Sequence, residues 1–197
     1  MAKLYFRYSA MDAGKTLDLL KVAYNYEDRN QHVLIITSNI DRRAGNNKVK
    51  SRIGFDKDAL STTINDNLYE LIDKQNQRQK VACILIDEIH FFGEKQILQL
   101  SDVVDFLNIP VICYGLRTDY CGKPFPAASV LLAIADTLEE VKTICHCGRK
   151  ANFNMLVRND MVIKDGEQVV VDDDKLKSID TKYVSVCRKH WKLGVWE

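Results

Sequence analysis

Two short stretches carry residue types suited to phosphoryl-group chemistry. The first is Ser9-Ala10-Met11-Asp12-Ala13-Gly14-Lys15-Thr16. A lysine and a threonine hydroxyl closing a glycine-bearing turn suit a polyphosphate, since the ammonium reaches the outer phosphates and the hydroxyl takes a position on magnesium. The usual pattern is G-x-x-x-x-G-K-[ST], and Ser9 stands at its first glycine. Serine adopts positive φ far less readily than glycine. The second stretch is Asp87-Glu88. An acid closing a buried strand can hold the same magnesium, which leaves Glu88 free to act on a second substrate. A third group, Cys145, Cys147, Cys187 and His190, offers three thiolates and an imidazole. Such a closed tetrahedral set is the mark of structural rather than catalytic zinc. His146 competes as fourth ligand, and His190 is preferred because its spacing from Cys187 lets both point at one centre.

The elements that must position these groups follow from hydrophobic periodicity. Leu4 to Tyr8 reads as a strand, and Leu17, Leu20, Ala23 and Tyr24 fall at helical spacing, so the first stretch is a strand, turn and helix. The helix then aims unpaired N–H groups and a partial positive charge at an anion in the turn. His32 to Ser38 is a second strand, and Asn39 to Gly54, polar and basic, reads as a loop. Leu68, Leu71 and Ile72 predict a helix running into Gln75-Asn76-Gln77. The nearly continuous apolar run Val81 to Ile86 predicts a strand buried on both faces. Ile97, Leu98, Leu100, Val103, Val104 and Leu107 form a helical face, Ile109 to Leu116 another buried strand, and Ser129 to Leu138 a further helix. Alternating strands and helices imply a doubly wound α/β domain over residues 1–140, with ligands at the carboxyl ends of the strands. The pattern changes near Val141, where a small β-rich unit, residues 141–197, carries the cysteines and the runs Met161-Val162-Ile163 and Gln168-Val169-Val170-Val171.

Composition narrows the classes. At 197 residues, 28% charged and 46% hydrophobic, the chain can hold one full core and a small appendage. A formal net charge of +1 gives no electrostatic reason to expect nucleic-acid or anionic-membrane binding. Residues 141–197 hold eleven basic and eight acidic residues, a weak nucleic-acid footprint. The longest uncharged runs, Phe106 to Leu116 and Phe125 to Ala135, are too short to span a bilayer, and no signal peptide precedes the first strand, so a cytoplasmic protein is expected. Cys83 and Cys113 lie in apolar runs as small hydrophobes, and Cys121, in a loop, has no assigned role.

Taken together, Tyr8-Ser9-Ala10-Met11 before Gly14-Lys15, Ser51-Arg52-Ile53-Gly54, Asp87-Glu88, Cys113 to Asp119, Cys145 to Lys150 and Tyr183 to His190 resemble the cytosolic thymidine kinase family with a zinc-bearing lid. The resemblance covers nearly the whole chain, and bacterial members are similar in carrying serine at the first loop glycine. It implies a P-loop NTPase (RecA-like) parallel sheet with a small C-terminal zinc-binding lid. The implied activity is ATP-dependent phosphorylation of thymidine at its 5′-hydroxyl, in nucleotide salvage. ATP would contact Ser9, Ala10, Met11, Asp12, Ala13, Gly14, Lys15, Thr16, Asp87 and His90. Glu88 would act as base on the 5′-hydroxyl, and Arg43 would steady the transferring charge. Met11, Phe91, Leu116, Tyr120 and Phe125 would line the base, with Val170, Val171 and Tyr183 supplied by the lid. Members of the family are usually homotetramers inhibited by thymidine triphosphate.

Three departures from the family pattern stand out. Asp12 replaces an asparagine or small polar residue, and His90 stands where glutamine is usual. After Val171, where the lid normally carries two glycines, this chain has Asp172-Asp173-Asp174-Lys175-Leu176-Lys177-Ser178-Ile179-Asp180. Glycine lets a backbone approach a ligand closely, and aspartate does not substitute freely. The changed lid motivates an alternative, a deoxynucleoside kinase of altered base choice. A non-catalytic nucleotide-binding zinc protein is a third reading, against which Lys15, Asp87 and Glu88 together speak.

Overall fold

Alternation along two buried strands decides the layering of the molecule. In β6 (Cys83–Ile86), Ile84 and Ile86 join one core cluster while Cys83 and Leu85 join the other. β7 (Val111–Leu116) repeats the division, Val111 and Cys113 against Ile112 and Tyr114. A period of two with both faces apolar is what a sheet covered by helices on both sides requires. Each of these aliphatic side chains contributes roughly 1.5–3 kcal/mol by leaving water. The structure, a computed structural model, describes residues 1–40, 47–166, 168 and 181–197. Arg43, Val170, Val171 and the acidic run that follows lie outside the described residues.

Six parallel strands form the central sheet in the order β5-β2-β6-β7-β1-β8. Besides β6 and β7 these are β1 (Leu4–Ser9), β2 (Val33–Ser38), β5 (Leu60–Thr62) and β8 (Thr137–Glu140). α1 (Lys15–Glu27) covers one face through Leu19, Leu20 and Ala23. The opposite face is covered by α2 (Leu68–Arg78), α3 (Glu94–Leu107) and α4 (Pro126–Ile134). One strand, β7, separates β1 from β6, so the turns after all three open at the same edge of the sheet.

Two sequence expectations require correction. The helix expected over Ser129 to Leu138 runs instead over Pro126–Ile134, with proline in its first turn, where a missing N–H costs nothing. It stops at Ala135, which is extended. The Asp136 carboxylate then accepts the Leu4 N–H at 2.7 Å, and Thr137 pairs with Tyr5, so Leu138 belongs to the edge strand β8. The basic stretch expected as loop contains β3 (Lys48–Lys50), which forms an antiparallel hairpin with β4 (Asp56–Asp58). Val49 and Ala59 seat this hairpin in the α1-side core.

After Val141 the chain builds a two-stranded ribbon, β9 (Thr143–Ile144) with β10 (Lys150–Ala151). A three-stranded antiparallel sheet follows, β12 (Met161–Ile163), β11 (Phe153–Arg158) and β13 (Thr181–Val186), closed by the short α5 (Arg188–Leu193). Its small core holds Met155, Val157 and Val186 beside Cys145 and Cys187. Trp191 ties this unit to the main sheet. Its ring stacks on Phe153 at 4.8 Å, and its indole N–H donates to the Tyr120 carbonyl at 2.9 Å.

Candidate active site

β1 ends at Ser9 and α1 begins at Lys15, so the intervening turn carries the whole change of direction. Positive φ falls on Asp12 (φ 61) and Gly14 (φ 80), and Ser9 is the last residue of the strand. The serine therefore needs none of the freedom that the missing glycine would have supplied. Its hydroxyl instead donates to the Ala10 carbonyl at 2.6 Å and accepts from Lys15 Nζ at 2.9 Å. Lys15 Nζ also donates to the Ala10 carbonyl at 3.1 Å, and the residue is only 8% exposed. The ammonium is thus folded along the turn, within it and not out in solvent. Asp12 forms an ion pair with Arg52 at the tip of the β3–β4 hairpin. That contact involves Ser51-Arg52-Ile53-Gly54, a stretch whose role the sequence left open.

The two stretches meet. Thr16 Oγ1 donates to Asp87 Oδ2 at 3.0 Å. Asp87 Oδ1 accepts the N–H of Glu88 at 3.1 Å. Asp87 is 4% exposed, and burial, followed by the neighbouring Glu88 carboxylate, pushes its pKa up to about 7. The Thr16 hydroxyl, Lys15 and the Glu88 N–H pull the other way without cancelling that effect. A buried carboxylate beside a hydroxyl is a pair of hard oxygen donors, the kind that suits a magnesium ion carrying phosphate oxygens. The residues present fit that ion.

Glu88 sits in the left-handed region (φ 50, ψ 43), a conformation that costs a non-glycine residue of order 1 kcal/mol or more and clusters at functional sites. The single turn that follows, Ile89–Phe91, places His90 Nδ1 3.5 Å from Glu88 Oε2. Nδ1 also accepts the Leu116 N–H at 3.2 Å. His90 is flanked by Phe91 at 4.2 Å and Phe125 at 4.8 Å between ring centroids. Gly115 allows this packing, since a Cβ there would lie 2.6 Å from Ile89 Cγ2 and 3.2 Å from the His90 backbone nitrogen.

The side chains expected to line a nucleoside base make their contacts in separate groups. Phe91 and Phe125 flank His90, and Leu116 follows on β7. Tyr120 lies edge-on to Tyr183 of β13 at 6.4 Å, a contact between the loop after β7 and the C-terminal unit. Met11 is gripped from that unit. Its N–H donates to Asn154 Oδ1 at 2.8 Å, and its carbonyl accepts from Ser185 Oγ at 2.7 Å. Arg52 is one of the basic residues of the 39–54 stretch, whereas Asn154, Ser185 and Trp191 have no role in the sequence reading. None belongs to a spaced motif for chemistry, although Arg52 and Ser185 lie within stretches that carried the resemblance.

The cysteine cluster is assembled as expected. One ligand atom from each of Cys145, Cys147, Cys187 and His190 lies within 4.8 Å of all the others. Zinc bonds of about 2.0–2.3 Å give ligand separations compatible with such a cage. His146 stacks on the His190 ring at 4.3 Å, while His190 Nδ1 lies 3.3 Å from the Cys145 sulfur. The set fits a zinc ion held in structural fashion.

Comparison with known proteins agrees with this geometry. A family model described as thymidine kinase matches residues 2–191. A thymidine kinase of Francisella tularensis subsp. holarctica is 70% identical over 197 residues, the full length of both chains. One from Haemophilus influenzae Rd is 50% identical, covering 98% of this chain and 97% of the relative. Another from Idiomarina loihiensis is 49% identical with the same coverage. A family model matched over residues 2–191 and a relative 70% identical along its full length show that the chain belongs to the thymidine kinase family.

Proposed function

We propose that this protein transfers the γ-phosphoryl group of ATP to the 5′-hydroxyl of thymidine, yielding thymidine monophosphate. The observation that carries this reading is the 3.0 Å bond between Thr16 and Asp87, with Glu88 next in the chain. In it, residues from the phosphate turn after β1 and from the acidic turn after β6, one strand away across β7, share one metal-binding corner. Residues 1–140 act as the catalytic domain and residues 141–197 as the lid.

In this mechanism Ser9 to Thr16 hold the triphosphate, with Lys15 exchanging its contacts to Ser9 and Ala10 for phosphate oxygens. Thr16 and Asp87 would hold a magnesium ion, which would neutralise charge on the phosphates. Glu88 orients the 5′-hydroxyl and takes its proton. A carboxylate suffices for this, because phosphoryl transfer is loose and positioning matters more than early deprotonation. His90, braced by the Leu116 N–H and two phenylalanines, keeps the Glu88 turn in place. Met11, Phe91, Leu116, Tyr120, Phe125 and Tyr183 line the base. Arg43, Val170 and Val171, outside the described residues, complete the phosphate and base contacts by resemblance. Cys145, Cys147, Cys187 and His190 would hold a zinc ion that ties the lid strands together.

A cytoplasmic homotetramer inhibited by thymidine triphosphate belongs to the same reading. Among the described residues no helix is long and apolar enough to cross a membrane. The test is a substrate panel of thymidine, deoxyuridine and deoxycytidine with ATP and magnesium. Thymidine is expected to give the highest kcat/KM. A preference for deoxycytidine would replace this reading with a kinase of altered base choice.

A further inference from the structure

Asn154 and Ser185 stand directly opposite each other on β11 and β13, so their side chains share one face of the lid sheet. Together they take both backbone polar groups of a single residue of the phosphate turn. Asn154 Oδ1 accepts the Met11 N–H at 2.8 Å, and Ser185 Oγ donates to the Met11 carbonyl at 2.7 Å. Asn154 is 2% exposed, and its Nδ2 donates to the Thr118 carbonyl at 3.3 Å. An N–H on one side and a carbonyl on the other settle which end of the amide is which. One asparagine thus bridges the turn after β1 to the turn after β7.

The consequence lies in the next peptide. In a trans peptide the carbonyl and the following N–H point in opposite directions. Fixing the Met11 carbonyl on Ser185 therefore fixes the Asp12 N–H, which faces away from the lid. Asp12 has a positive φ (61), a region that aspartate enters more readily than most non-glycine residues, so the turn's shape at this residue is set by the backbone around it. Phosphate turns bind through oriented backbone N–H groups, and an orientation set before the anion arrives spares the cost of ordering it.

We propose that Asn154 and Ser185 are positioning residues for ATP: the lid holds the Met11 backbone so that the phosphate turn is preset for the triphosphate. Lid seating and nucleotide binding are then one event, joined at Met11. This rests on the kinase reading above, and on the turn as the ATP site.

The experiment measures ATP affinity with magnesium by titration calorimetry, and KM values for ATP and thymidine. The proteins are the zinc-loaded wild type, S185A, N154A, S185T and S185A/N154A. Each alanine variant is expected to raise the ATP Kd and KM roughly tenfold, the scale of one lost hydrogen bond to a buried group. Met11 and the lid also border the base, so thymidine KM is expected to rise too, and the ATP Kd measured without thymidine is the deciding readout. S185T, which keeps the hydroxyl, restores ATP affinity. The double variant falls short of the product of the singles, because both bonds hold one residue. Zinc content and melting temperature serve as the structural readout. ATP binding equal to wild type in both alanine variants overturns the proposal. So does a loss that follows zinc content or melting temperature and is not rescued by S185T. A wild type that binds no ATP overturns the kinase reading as well, whereas full wild-type activity with unaffected variants removes the positioning role alone.

Discussion

Replacing Asp87 with asparagine should make the ligand-free protein more stable while destroying its activity. The side chain is 4% exposed and lies against Glu88. Asparagine fits the same contacts, its oxygen accepting the Glu88 N–H and its amide donating to Thr16 Oγ1, because a hydroxyl can accept as well as donate. The magnitude follows from the titration. A carboxyl raised from 3.8 to about 7 on folding loses about 4 kcal/mol of stability once fully ionised. The folded state holds the proton more tightly than the unfolded chain. The wild type therefore loses stability as pH rises above about 4, and the loss is complete above about pH 7. About 2 kcal/mol of it develops between about pH 5.5 and about pH 8.5, a range mild enough to leave the cysteine cage loaded. For a chain of this size that corresponds to about 4–8 °C. Thermal unfolding of both proteins in magnesium-free buffer at those two pH values should show the melting-temperature advantage of D87N growing on that scale, because only the wild type holds a proton shared by the Asp87–Glu88 pair. Saturating ATP with magnesium should narrow or reverse the advantage, since only the wild type retains the carboxylate for the metal. An advantage that does not change with pH would refute the placement of a strained acid at this corner.

Two further substitutions probe the frame around that corner. Gly115→Ala would set a Cβ 2.6 Å from Ile89 Cγ2 and 3.2 Å from the His90 backbone nitrogen, so the Glu88 turn must shift. Destabilisation of roughly 1–3 kcal/mol by urea unfolding, with at least about a tenfold loss of kcat, is expected. Unchanged turnover would show that the turn tolerates displacement. Cys187→Ser opens the Cys3His cage beside β13, and metal analysis should find well under about half a zinc per chain with a markedly lower melting temperature. A full complement of zinc in that variant would place the metal elsewhere.

How much of this was readable beforehand depended on whether the signal was local. The phosphate turn, the acid pair and the alternation of β6 and β7 are short-range patterns, and each element formed where its residues implied. The Cys3His set was also found, because thiols and imidazoles at knuckle spacing have few competing explanations. Leu138 was misassigned because an apolar residue just past a helix end carries no mark of an edge strand. What decided it was the Asp136 bond to Leu4, a contact across 132 positions. Asn154 and Ser185 sit among ordinary strand residues, and their partner in the phosphate turn is likewise distant in the chain. Asp12 was recognised as a departure, but its ion pair with Arg52 depends on a hairpin that the polar composition of 39–54 concealed. Ser9 at the first glycine position costs the turn nothing, since the backbone places its positive φ at Asp12 and Gly14.

The most direct test of the central claim is single-turnover phosphorylation of thymidine by Glu88→Gln, with binding of ATP and thymidine measured on the same preparation. Glutamine keeps the size of the side chain and removes its capacity to take a proton. Both ligands should bind as in the wild type while the chemical step slows by at least roughly a hundredfold, as for loss of a general base. A mutant that transfers phosphate at the wild-type rate would contradict the assignment of the acid pair to the reacting centre.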